Sequence, residues 1–173
     1  AQPFLADVFS EMSGQISGTI TLDGPISHID IASEDTRLEN SLLRIEYTDV
    51  PYYADGPFHI DNSGVYFDTI SIKDRFNGTG SVTGSINWDH FRDLSFNTHI
   101  RINEIEGINL DERAGEDFYG QVFGTGNVSI TGPMNSIVLN VDAVTAKSGQ
   151  LHIPLSSSVT AGKVTNLLRF KQE

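Results

Sequence analysis

The chain has 173 residues, 38% of them hydrophobic, with 23 acidic against 11 basic side chains and a net charge of −12. The hydrophobic share lies below the roughly 45–50% of ordinary globular domains, which fits a thin or elongated body better than a compact sphere. The acidic excess excludes docking on nucleic-acid phosphates or anionic head groups, and the lack of cysteine excludes disulfides, thiolate nucleophiles and zinc–cysteine sites.

Phe4, Leu5, Val8, Phe9 and Met12 recur at helical spacing, so a short amphipathic helix is predicted over residues 1–13. From residue 14 to 155 the period changes to two. Ile16, Ile20 and Leu22 share one face while Ser17, Thr19 and Thr21 share the other. Gly24-Pro25 makes a turn, because glycine takes open dihedrals and proline fixes the next φ. Ile29 and Ile31 continue in a second strand. The polar stretch Ser33–Asn40 reads as an interruption, after which Leu43, Ile45 and Tyr47 alternate again.

Phe58 and Ile60 lead into a turn at Asp61-Asn-Ser-Gly64, and two short strands follow, Val65–Phe67 and Ile70–Ile72. Val82, Ile86 and Trp88 share a strand face. Leu94, Phe96, Ile100 and Ile102 alternate most cleanly, with Ser95, Asn97, His99 and Arg101 opposite. Asp111–Asp117 is an acidic loop. Val128 and Ile130, then Ile137, Leu139 and Val141, precede a last strand at Leu151–Leu155, and residues 156–173 form a tail. This gives about ten to twelve short strands, each with one apolar and one polar face, in one all-β domain.

One phrase occurs twice in that domain. Gly18-Thr-Ile-Thr-Leu-Asp-Gly24-Pro25-Ile26 and Gly126-Asn-Val-Ser-Ile-Thr-Gly132-Pro133-Met134 follow one template, and a weaker copy begins at Gly78. Recurrence of a strand-plus-turn unit points to similar rungs stacked side by side, with function in the surface they share.

Chemistry is sparse. No Gly-x-Ser-x-Gly elbow is present. The histidines His28, His59, His90, His99 and His152 show no helical i, i+4 pairing and read as solvent-facing. The carboxylate pairs Glu34-Asp35, Asp111-Glu112 and Glu116-Asp117 are read as lying in polar loops where charges stay hydrated, so no metal site or acid–base pair is assigned. Gly78-Thr-Gly80 and Gly124-Thr-Gly126 precede alternating residues rather than a helix N-terminus, which removes the nucleotide-loop reading. Trp88, Phe91 and Phe96 fit core packing better than a stacking platform. No catalytic residue, cofactor or enzymatic activity is predicted. The longest apolar run falls far short of the ~18 residues a membrane span needs, and no signal-peptide core follows Ala1.

Three phrases carry a resemblance: Ile60-Asp-Asn-Ser-Gly-Val-Tyr-Phe67, Gly84-Ser-Ile-Asn-Trp-Asp-His-Phe-Arg-Asp-Leu-Ser-Phe96 and Asp117-Phe-Tyr-Gly-Gln-Val-Phe-Gly-Thr-Gly-Asn-Val-Ser-Ile-Thr-Gly132. With His152-Ile-Pro-Leu155 they resemble the carboxyl-terminal region of the TamB family, in its Bacteroidetes form, and the Gly-x-strand-Gly-Pro phrase is similar to the unit of the wider AsmA-like group. The resemblance covers most of residues 13–155. It implies a fragment of a longer periplasmic protein of a Gram-negative bacterium, anchored in the inner membrane by a part not present in this sequence. It also implies a taco-shaped half-pipe of curled sheet with an apolar interior. The implied roles are phospholipid transport to the outer membrane and assembly of proteins there, beside a BamA-like barrel partner.

On that reading the lining of a lipid groove is Ile20, Leu22, Ile86, Leu94, Phe96, Ile100, Ile102, Val128, Ile130, Ile137, Leu139 and Val141, holding phospholipid acyl chains. Periodicity alone is equally consistent with the same side chains filling a closed sandwich core. A module that adds a client strand to its open sheet edge is the alternative function.

Overall fold

A computed structural model of the chain describes residues 9–46, 48–89, 92–114, 118–146 and 148–154. Nine strands follow one another: β1 (Phe9–Asp23), β2 (Asp30–Ile45), β3 (Val50–Asp61), β4 (Gly64–Lys73), β5 (Thr79–Asp89), β6 (Arg92–Leu110), β7 (Tyr119–Pro133), β8 (Val138–Thr145) and β9 (Gln150–His152). They form a single antiparallel sheet in the order β1-β2-β3-β4-β5-β6-β7-β8, with β9 pairing β7 beyond the end of β8. The helical content among the described residues is one 3-10 turn at Met134–Ser136, and no helix there is long and apolar enough to cross a membrane. The all-β, curled-sheet expectation holds.

Three expectations change. The helix predicted over residues 1–13 is contradicted where it is described, because Phe9–Ser13 is strand; residues 1–8 lie outside the described residues. Met12 pairs with Leu43 and Ser13 with Leu42, and a register shift between Phe9 and Glu11 puts an extra residue into the ladder. An apolar spacing of three therefore arises within a strand.

The polar stretch Ser33–Asn40 is likewise the interior of β2, not an interruption. Bulges fall at Asp35 and Asn40, which take φ of 51° and 44°, the left-handed region that Asp and Asn tolerate best. Each bulge adds a residue, so the buried positions fall at Ser33, Thr36 and Ser41, three and five apart, with Leu38, Leu42 and Leu43 half-buried. A reader expecting period two sees noise there.

The strands are thus fewer and longer than expected. Val65–Phe67 and Ile70–Ile72 form one strand, β4, with a register shift between Phe67 and Ile70. The predicted strand at Leu151–Leu155 is described only as the short β9. Tyr47, His90, Phe91, Glu116, Asp117, Leu155 and the tail 156–173 lie outside the described residues.

A strict up-and-down meander places its turns alternately on two margins of the sheet. The turns after Asp23, Asp61, Asp89 and Pro133 lie on the first margin, and those after Ile45, Lys73 and Leu110 on the second. On the second margin the short β4–β5 hairpin lets its neighbours meet. The Asn109 amide donates to the Thr48 carbonyl at 2.9 Å, and the Tyr52 hydroxyl donates to the Glu106 carbonyl at 2.6 Å. The sheet therefore curls, bringing β3 against β6.

The repeated phrase is a repeated structure. Gly24 and Gly132 close the first-margin turns of β1–β2 and β7–β8 with φ of 99° and 95°. A Cβ at either would sit 2.6 or 2.7 Å from the carbonyl oxygen four residues on, that of His28 or Ser136. The weaker copy flanks β6 in register with its partner: Gly80 and Gly126 both oppose Ile102, and Val82 and Val128 both oppose Ile100.

Candidate functional site

Residues opposite each other on neighbouring strands share a sheet face, so the register defines the two faces. One row runs Ile70–Val82–Ile100–Val128–Val141 across β4 to β8, and the next runs Ala54–Ile72–Gly80–Ile102–Gly126–Ala143 across β3 to β8. A third runs Ile60–Val65–Ile86–Phe96–Gly132, and a fourth Phe58–Phe67–Gly84–Thr98–Ile130–Leu139. On the far side Met12 opposes Leu43, Ile16 opposes Leu38 and Leu22 opposes Ile31. The result is an apolar face from β3 to β8 that continues onto β1 past the buried Ser33 and Ser41 of β2.

Eleven of the twelve residues expected to line a groove lie within strands whose alternation puts them on this face: Ile20 and Leu22 on β1, Ile86 on β5, Leu94, Phe96, Ile100 and Ile102 on β6, Val128 and Ile130 on β7, and Leu139 and Val141 on β8. The twelfth, Ile137, immediately precedes β8 with the same parity. Trp88 has the parity of Ile86 and is half-buried there with Phe96.

Burial across the face is graded. Near the second margin it is sealed, with Val50 0% and Ile105 2% exposed beside buried Ala54 and Ile70. Over its centre, Ile86, Phe96, Ile100, Ile102, Val128 and Ile130 are half-buried. Towards the first margin Leu22 is 64% and Leu139 39% exposed, and Ile26 in the turn reaches 96%. A depression of about 380 Å³ opens there between Asp93, Leu94, Pro133, Met134 and Asn135. Along β1 the apolar side chains Met12, Ile16, Ile20 and Leu22 are exposed for the whole length of the strand, because among the described residues β1 pairs with β2 alone.

The opposite face is hydrophilic. A broad depression of about 1110 Å³ lies over β5 to β8, lined by the polar Thr69, Ser81, Thr83, His99, Arg101, Asn127, Ser129, Asn140 and Asp142 together with Ile100, Val128, Leu139 and Val141. His28, His59, His99 and His152 are exposed, as the sequence indicated. His59 lies 3.5 Å from Asp61, and His152 stacks on Tyr119 at 4.9 Å. Among the described residues no three His, Asp or Glu side chains converge as metal ligands would. Glu34 and Asp35 are exposed on β2, not in a loop.

Sequence reasoning missed a polar cluster on the second margin. The Glu106 carboxylate is fully buried, yet both oxygens are occupied. Oε1 accepts from Arg75 Nη2 and from Gln121 Nε2, each at 2.9 Å, and Oε2 accepts from Arg75 Nε at 3.1 Å. Its backbone amide donates to Asp74 Oδ2 at 2.6 Å. Asp74 Oδ1 in turn holds the amides of Phe76 and Gly78, fixing the β4–β5 turn. Burial, with the Glu106 and Asp74 charges adding to it, pushes the Tyr52 phenol above its usual range. The available signal was Ile105-Glu106-Gly107-Ile108, where a charge and a glycine break the cleanest alternation in the chain.

A family model described as the TamB C-terminal domain matches residues 68–172, more than half of the chain. The match begins within β4 and takes in every described element after it. Neither a curated protein nor a solved structure matches.

Proposed function

The chain belongs to the TamB C-terminal domain family, and from that membership we propose that its apolar face shelters phospholipid acyl chains in the periplasm. The family supports a role in a translocation and assembly module of the Gram-negative envelope. Acyl-chain passage to the outer membrane is the finer reading, with an inner-membrane anchor in the parent protein and a BamA-like barrel as partner. Such a role needs no catalytic group.

The observation that carries the reading is the apolar face, which between β3 and β8 is graded from sealed at one margin to exposed at the other. Exposed contiguous apolar surface on a monomeric protein marks an interaction site. Each methylene moved from water onto such a surface gains about 0.8 kcal/mol, so a long hydrocarbon chain is held by area without any specific contact. The acidic net charge of −12 favours neutral or zwitterionic lipid over anionic lipid.

Photo-crosslinking in cells tests this. A photoreactive residue at Phe96 or Ile100 captures phospholipid, while the same residue at His99 or Arg101, on the other face of β6, does not. Equal capture from both faces, or none from either, ends the proposal.

The exposed length of β1 favours a second reading. An unpaired edge strand presents backbone donors and acceptors to a client strand, and here it also offers four exposed apolar side chains. On that reading charge substitutions along β1 abolish function and those at Ile100 or Val128 leave it intact.

A further inference from the structure

We infer that Glu106, Arg75, Asp74 and Tyr52 are positioning residues that close the second margin of the apolar face between β3 and β6, so that an acyl chain enters from the first margin. This rests on the acyl-chain reading above and adds a direction of access to it.

Four residues from three elements converge on Glu106 of β6: Tyr52 from β3, Asp74 and Arg75 from the β4–β5 turn, and Gln121 from β7. Every polar group of that residue outside the strand ladder is used. A fully buried carboxylate is tolerated only while it is paired and hydrogen-bonded, since removing a partner leaves an uncompensated charge in a poorly polar site. The closure is therefore cooperative and does not loosen by degrees.

Tyr52 ties the two walls across the apolar side and Arg75 clamps the hairpin tip down on the other side of β6. An acyl chain entering here must first strip the hydroxyl from the Glu106 carbonyl, leaving buried polar groups unmade. At the first margin it displaces only water from side chains that are already exposed, such as Leu139. Between β3 and β6 the same face is thus shut at one side and wettable at the other.

The test uses the purified chain and palmitate carrying a diazirine, with adducts located by peptide mass spectrometry. In the parent chain adducts fall on Ile86, Phe96 and Leu139 and are missing from Ile72 and Ile108, the half-buried positions beside the closure. Arg75→Ala and the milder Tyr52→Phe extend the adducts to Ile72 and Ile108, and Arg75→Lys restores the parent pattern in part. Adducts at Ile72 and Ile108 in the parent, or variants that keep the parent pattern while folded by circular dichroism, overturn the closure.

Absence of adducts from the whole apolar face overturns the acyl-chain reading instead. A lipid-free measurement then still decides the closure. The chain has no native cysteine, so Ile72→Cys and Ile86→Cys report without background. An apolar maleimide labels the second faster than the first, and Arg75→Ala erases the difference. Equal labelling in the otherwise unchanged chain rules the closure out.

Discussion

Tyr52 shows how one side chain links curvature to solution behaviour. Its phenol ordinarily ionises near 10.0 and is held higher here, first by burial and then by the Glu106 and Asp74 charges. Above that ordinary value the unfolded chain loses the proton while the folded chain keeps it. The folded state then binds more protons, so stability is intact below about pH 10 and falls as pH rises, by up to about 1.4 kcal/mol per unit. Urea midpoints measured between neutral and alkaline pH should show this slope. Tyr52→Phe should flatten it while costing about 1 kcal/mol at neutral pH for the lost hydrogen bond. A Tyr52→Phe chain with the parent's alkaline slope contradicts the assignment. The exposed Arg37–Asp55 pair at 2.7 Å makes a useful contrast. The Arg37 hydrogen bond holds the Asp55 carboxyl below its usual range, with the Asn40 amide assisting, but exposed pairs of this kind contribute little to stability.

At the scale of elements, the recurring turn makes an equality testable. Gly24 and Gly132 share a positive φ and the same close carbonyl. Alanine at either should cost about 1–3 kcal/mol. The two costs should match and should add in the double variant, because the turns are far apart in the sheet order. Thermal midpoints of the three chains check this, and a large inequality means that the two phrases share letters without sharing a fold.

The same scale explains what could be read in advance. The alternation Leu94, Phe96, Ile100, Ile102 needed nothing but its own strand, and the turn at Asp61-Asn-Ser-Gly64 was equally local, with the Asp61 carboxylate accepting from the Ser63 amide at 2.7 Å. β2 was illegible because bulges at Asp35 and Asn40 exist only in relation to the strands they pair with. Glu106 was illegible for a related reason, since its partners Tyr52 and Arg75 come from 54 and 31 residues away. The apolar face emerged from the sequence as twelve separate candidates. Its grading from sealed to exposed did not, because that depends on where β3 meets β6.

For the whole molecule, the excess of acidic side chains sets a long-range field around the apolar face. A fatty-acid anion approaching a chain of charge −12 meets repulsion that salt screens over roughly 8–10 Å at physiological ionic strength. Its binding should therefore tighten as salt is raised from low to physiological levels, whereas a neutral monoacylglycerol should bind almost independently of salt. Fluorescence titration of both ligands over that range separates the cases. Weakening of the anion with added salt would mean that a local cationic site, not the apolar face, holds it.

The sequential pairing of β1 through β8 also bears on how such a chain comes to be folded at all. Each strand finds its neighbour in the stretch of polypeptide just made, so the ladder zips up from one terminus to the other with short loop closures and a small entropic toll at every step. The contacts that join β6 to β3 and its preceding turn, Asn109 to Thr48 and Tyr52 to Glu106, span the greatest separations and are made once β3 through β6 are already laid down. Maturation thus has a natural last act, in which a flat ribbon acquires its bend.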